Sequence, residues 1–257
     1  MAVRAHMASF PPRKHVMLQA IECLAPQVDH LVLALNEYEA VPSDLAKYTN
    51  LEILQPEEDT KDIGKFLSKP DAKDFVALVD DDFAYPADYI ARAKDLCEQT
   101  GLEQNAFGYL GLAWKYKTQK KAFGWRFHST KAETKHMMGV EVLGTGVSFI
   151  LGKNIPPLDY MKDALGYADF RFGKWLFEQG IKPWVLPKEA EYLPSLTDEE
   201  IFQSSIFKTF TTKKVHELEG VLLDRKRQKL LDTKSFVGKS DHTEMRFESY
   251  MRKKSKT

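Results

Sequence analysis

The run "FVALVDDDFAYPADY" (residues 75–89) decides the reading, because five β-forming apolar residues lead straight into three consecutive aspartates. Asp80, Asp81 and Asp82 repel one another unless something positive lies between them. One aspartate could be explained as the cap of a helix starting near Pro86. Three cannot, and Phe83 to Tyr85 intervene.

Outward from this run, strands and helices alternate. "VRAHMASF" (3–10) alternates like a strand, and "PPRKHVMLQAIECL" (11–24) opens on proline and continues with apolar residues at helical spacing. "HLVLAL" (30–35) and "LEIL" (51–54) are short strands, and "DIGKFL" (62–67) is a short helix or turn. "PADYIARAKDLCEQTG" (86–101) predicts a helix with proline near its start and glycine after its end. Such alternation implies α/β layers around a mixed, mostly parallel sheet. Sheets of this kind bind ligands beyond the carboxyl ends of their strands, where the three aspartates and "SFPPR" (9–13) fall.

Two aspartates spaced two apart at a strand end, Asp80 and Asp82, suit a divalent cation shared with the phosphates of a nucleotide. Hard carboxylate oxygens favour Mg²⁺ or Mn²⁺. If the chain stays extended, Asp81 points away from its two neighbours and serves either a hydrogen bond of the framework or the site itself.

Composition sets bounds. The 257 residues, 43% hydrophobic and 29% charged, are those of an ordinary globular protein with a sizeable core. Formal net charge is zero, which gives no expectation of a nucleic-acid partner. No apolar run reaches the ~18 residues of a membrane span, and the N-terminus lacks the regions of a signal peptide, so a cytoplasmic protein is expected. Cys23 and Cys97 match no metal spacing and read as reduced thiols of the core. Residues 208–257 hold 14 Lys/Arg against 7 Asp/Glu. This basic, partly helical tail is either a solvated face or a peripheral contact with an anionic membrane surface or other anionic partner.

Together these segments resemble, in order, the bacterial GT-A glycosyltransferases of the family-2-like, surface-polysaccharide type. "VDDDFAYPADYI" (79–90) resembles their D-x-D segment, "ASFPPR" (8–13) their first nucleotide-binding loop and "DIGKF" (62–66) their second. "VLGTGVSFI" (142–150) is similar to the strand-turn-strand on their acceptor side, and "ADFRFGKWLFEQGI" (168–181) to the helix led by their catalytic acid.

The resemblance covers roughly residues 3–187. It implies a GT-A-like, Rossmann-like three-layer domain over residues 1–190, divided near residue 100 into donor and acceptor halves, with a C-terminal extension over 191–257. The implied activity is metal-dependent, inverting transfer of a sugar from a nucleotide-sugar, a UDP-sugar, to a saccharide acceptor hydroxyl. It makes Asp82 the direct metal ligand, with Asp80 on the metal or ribose, and puts Pro11, Arg13, Asp62, Lys65 and Asp81 around the nucleotide. Asp62 would accept the uracil N–H, Gly64 would permit close approach and Lys65 would reach a phosphate or ribose. Gly144, Thr145 and Gly146 form the acceptor-side loop. Asp169 is the base, with Asp159 and Asp163 as fallbacks.

Plainer roles stand beside these: a helix cap for Asp62 or Asp169 and surface charges for Arg13 and Lys65. His216 and His242 could complete a metal shell or be surface histidines. Trp114, Tyr116 and Trp125 could stack on a sugar or fill core. A phosphatase of the haloacid-dehalogenase type wants Thr or Val where Ala84 stands. A related nucleotidyltransferase shares fold and metal but usually has a glycine-rich first loop, and "SFPPRK" has no glycine. A non-catalytic sugar-nucleotide module would lack the base that Asp169 supplies.

Overall fold

The computed structural model describes residues 1–115 and 124–197. Tyr116, His216 and His242 lie outside these residues, as does the basic tail, and Trp114 and Trp125 are described in backbone only.

The first half is four strands and two helices: β1 (Val3–Ser9), α1 (Lys14–Leu24), β2 (His30–Leu35), β3 (Leu51–Leu54), β4 (Phe75–Val79) and α2 (Tyr89–Thr100). The second half adds β5 (Asn105–Gly108), β6 (Gly111–Lys115), β7 (Gly124–His128), β8 (Met138–Gly139), β9 (Val142–Leu143), β10 (Val147–Leu151), α3 (Leu158–Met161), α4 (Ala168–Glu178) and β11 (Lys182–Val185). The main sheet has the order β3-β2-β1-β4-β10-β5-β11-β8. Strands β3, β2, β1 and β4 are parallel, β10 runs against both β4 and β5, and β11 is parallel to β5. This is the mixed, mostly parallel sheet that the alternation predicts, of the Rossmann-like, three-layer kind that the resemblance implies.

Burial explains the layers. Every residue of β4 is buried, as a strand covered on both faces must be. Phe75, Ala77 and Val79 pack with Met17, Ile21 and Leu24 of α1 and Tyr89, Ala93 and Leu96 of α2. Val76 and Leu78 face the opposite cluster, with Phe66, Met161 and Phe172 and Leu176 of α4. Cys97 is buried and Cys23 half-buried, both free thiols. No helix among the described residues is long and apolar enough to cross a membrane.

The boundaries differ from the sequence reading in small ways. Pro11–Arg13 forms a 3-10 turn ahead of α1, and α2 begins at Tyr89 because Pro86–Asp88 are taken up by the lead-in turn. Gly101 ends α2 at φ 96°, a left-handed value that favours glycine. The aromatic stretch after residue 107 contributes β6 and β7 to a second, three-stranded sheet, β7-β6-β9, which the sequence reading did not assign. The chain after residue 190 remains packed on the domain as far as it is described. Leu193 is fully buried, Ala84 N–H donates to Pro194 O at 2.9 Å and Leu196 N–H to Asp82 O at 2.7 Å.

Phe149 of β10 is fully buried and stacks on Phe75 at 5.7 Å, with Tyr89 and Tyr109 at 5.3 and 5.8 Å. Phe149→Ala leaves a cavity where the antiparallel strand joins the parallel half, and should cost about 3–5 kcal/mol. Urea denaturation should show a lower midpoint with an unchanged m-value.

Candidate functional site

Parallel strands β1 and β4 are neighbours and end at the same edge, so Ser9 and Arg13 meet the three aspartates there. Ser9 Oγ donates to Asp81 Oδ2 at 2.6 Å and Arg13 Nη1 to Asp81 Oδ1 at 2.7 Å. The same guanidinium nitrogen lies 3.3 Å from Asp82 Oδ2, which also accepts from Thr197 Oγ1 at 2.9 Å. Asp80 turns the other way, to the ammonium of Lys65, which also reaches Thr145 O at 3.4 Å. The three carboxylates therefore do not alternate as an extended chain would make them. The backbone turns at Asp81 and Asp82, so those two share Arg13 while Asp80 takes Lys65.

Lys65 is only 3% exposed, on the 3-10 turn Lys61–Phe66. Burial alone would lower its ammonium pKa, but the Asp80 pair, with Asp169 and Asp62 nearby, raises it above the ordinary lysine value. The turn is fastened to the sheet. His6 Nδ1–H donates to Lys65 O at 2.9 Å, Asn36 Nδ2 to Lys61 O at 3.1 Å, and a Cβ on Gly64 would stand 3.0 and 3.1 Å from Ala34 and Ala8 Cβ. Burial lowers the His6 pKa to about 4, leaving a neutral imidazole at neutral pH.

The loop of residues 144–146 closes over the same place. Asp80 N–H donates to Gly146 O at 2.9 Å, and a Cβ at Gly146 would stand 1.8 Å from Asp80 Oδ2. Glycine is required there by space. Gly144 is hemmed in likewise, its Cβ position 2.3 Å from Leu110 Cδ2. Thr145 is buried, and both its N–H and its hydroxyl donate to Asp169 Oδ1, at 2.7 and 2.6 Å. Burial and the field of Asp80 raise the Asp169 pKa to about 6, against the pull of Thr145 and Lys65. Asp169, Lys65 and Asp80 thus lie within electrostatic reach of one another, though the chain separates them widely.

Of the residues expected around a nucleotide, the exposed Pro11 sits on the rim, while Arg13 and Lys65 are engaged by the aspartates. Both oxygens of Asp81 are taken, and the residue is 2% exposed. Asp62 Oδ1 accepts from Gly166 N–H at 2.6 Å and Oδ2 from Ala168 N–H at 3.0 Å. Asp163 pairs with Arg171 at 2.7 Å, and Asp159 lies in the first turn of α3. The sequence reading missed Ser9 and Thr197 as partners of the acids. Ser9 stood in a quoted loop, but nothing local could show that Thr197 returns to Asp82.

Asp80 and Asp82 are turned to different cations, Lys65 and Arg13. Each carboxylate keeps one oxygen, Asp80 Oδ2 and Asp82 Oδ1, without a hydrogen-bond partner among the described residues. Burial and the Asp80 charge raise the Asp82 pKa to about 6, a repulsion that a hard cation would relieve. Among the described residues no three His, Cys, Asp or Glu side chains group as a complete metal site. Phosphate oxygens and water would have to supply the remaining ligands.

No protein-family model and no curated protein matches the chain. Among solved structures, it is similar to a 4-diphosphocytidyl-2C-methyl-D-erythritol synthase, at 12% identity and a TM-score of 0.49, over 80% of this chain and 99% of that one. A likeness of this extent does not carry function. The resemblance to glycosyltransferases has no family match behind it and rests on the sequence motifs.

The raised acids make a prediction about stability. A carboxyl with folded pKa about 6 and an ordinary unfolded value near 4 holds its proton more tightly when folded. Its stabilising effect is present at low pH and is lost as pH rises from about 4 to 6. Asp169→Asn keeps the acceptor for Thr145 without the charge, so it should be more stable than wild type at pH 7.5 and indistinguishable from it near pH 4. Urea midpoints at the two pH values check this.

Proposed function

We propose that the chain is a metal-dependent transferase acting on a nucleotide-sugar, moving the sugar from a UDP-type donor to an acceptor hydroxyl. The observation that carries this reading is the convergence of Asp80, Lys65 and Asp169, with Asp81 and Asp82 paired on Arg13 beside them. Asp80 and Asp82 would hold Mg²⁺ or Mn²⁺, which supplies charge to the departing diphosphate.

Asp169 supports the role of base. Thr145 fixes one of its oxygens, leaving Oδ2 to take a proton from an acceptor hydroxyl. A pKa of about 6 lies close to neutral, where a general base works best. Asp81, held by Ser9 and Arg13, fixes the loop that carries its two neighbours. Arg13 balances Asp81 and Asp82, so in this reading it reaches phosphate only as a long-range charge.

Nucleotidyl transfer is the second reading. What favours it is the electrostatic contact between Asp80 and Asp169, since two such carboxylates could hold one cation between them. The two reactions leave different products: glycosyl transfer releases a nucleoside diphosphate from a nucleotide-sugar, and nucleotidyl transfer releases pyrophosphate from a nucleoside triphosphate.

Incubation with a panel of UDP-sugars and Mn²⁺, with candidate saccharide acceptors, should release UDP. Pyrophosphate from triphosphates, with no UDP from sugars, would replace this reading with the second. Asp169→Asn should retain UDP–Mn²⁺ binding and lose ~10²–10⁴-fold in kcat. Wild-type kcat should rise as pH passes about 6, where the Asp169 carboxyl loses its proton. Asp82→Ala should abolish metal-dependent UDP binding in calorimetry while the far-ultraviolet spectrum stays unchanged.

A further inference from the structure

Asp62 stands 104 residues before Gly166 and 106 before Ala168, yet its carboxylate accepts from the backbone N–H of both. These amides lead into and open α4, whose own N-cap, Tyr167, makes no side-chain cap. The first turn of a helix leaves N–H groups without intrahelical partners, and a carboxylate there is favoured by the helix dipole. Asp62 therefore caps α4 from another part of the chain.

What lies on either side gives this cap its interest. Three residues after Asp62, on the same 3-10 turn, is Lys65, the partner of Asp80. One residue after Ala168 is Asp169, gripped by Thr145. The turn itself is pinned to β1 and β2 by His6, Asn36 and the close approach of Gly64. One carboxylate thus ties the fixed turn behind Asp80 to the helix start behind Asp169.

We propose that Asp62 is a positioning residue, setting the Asp169 carboxylate at its working distance from Asp80 rather than contacting the nucleotide base. The proposal rests on the transferase reading above for its consequence in turnover, though not for its geometry. With both oxygens engaged, Asp62 could bind a uracil N–H only by releasing α4 or by sharing an oxygen. An asparagine at this position offers one acceptor oxygen for two amides and a donor group where the other acceptor stood. The start of α4 would loosen, and Asp169 with it.

The test uses the full chain, wild type and Asp62→Asn, with Asp62→Ala as a second variant. Amide hydrogen exchange should show Gly166, Ala168 and the first turn of α4 protected in wild type and exchanging about tenfold faster in Asp62→Asn. Calorimetry should find the UDP–Mn²⁺ Kd within about twofold of wild type, while kcat falls about 10- to 10²-fold, the scale of a small misplacement. Unchanged protection of these amides in a folded Asp62→Asn would overturn the proposal. So would a tenfold or greater rise in the UDP Kd with unchanged kcat, which would make Asp62 a nucleotide contact. Should wild type bind no UDP at all, the transferase reading fails by itself. The amide exchange then still decides whether Asp62 holds the start of α4.

Discussion

The ion pair of Lys65 with Asp80 is the interaction on which the site depends. A lysine this deeply buried would be pushed toward its neutral form without a carboxylate partner, and Asp80 holds it charged. Because Lys65 sits on a turn fastened to β1 and β2, the pair also sets where the end of β4 must lie relative to them. The Thr145 carbonyl, also within reach of the ammonium, brings the loop of residues 144–146 into the same arrangement.

Among the described residues, Asp62, Asp80, Asp81, Asp82 and Asp169 have Lys65 and Arg13 as their cations at close range. Burial pushes all four of Asp62, Asp81, Asp82 and Asp169 above the ordinary carboxylate value, against the pull of backbone amides at Asp62, of Ser9 and Arg13 at Asp81, of Arg13 and Thr197 at Asp82 and of Thr145 and Lys65 at Asp169.

Most of the fold was legible because periodicity is local. The strand ends of β2 and β3 match the apolar runs residue for residue, and the glycine after α2 stands where its left-handed φ requires one. The aspartate cluster, the G-T-G turn and Asp169 were legible as candidates because unusual residue types stood at strand and helix ends. Their partners were not. That Asp62 reaches α4, that Lys65 is buried and that Thr197 returns to Asp82 are facts of contacts across 15 to 115 residues. No spacing rule within one segment reports such contacts. The direction of Asp81 and Asp82 was hidden for a different reason: the alternation rule holds for extended chain, and the backbone turns there.

The placement of β10 bears on how the chain acquires its shape. This strand lies between β4 and β5, although the chain makes β5 well before it. Those two earlier strands cannot take up their final neighbours until Val147–Leu151 has been synthesised and inserted between them. Loop closures of this length are entropically costly and slow the search for the native pairing. On the ribosome, β1 to β4 can assemble early as a parallel unit with α1. Its exposed edge strand then waits for a partner, which makes the interval before β10 emerges the stage most open to mispairing with another nascent chain.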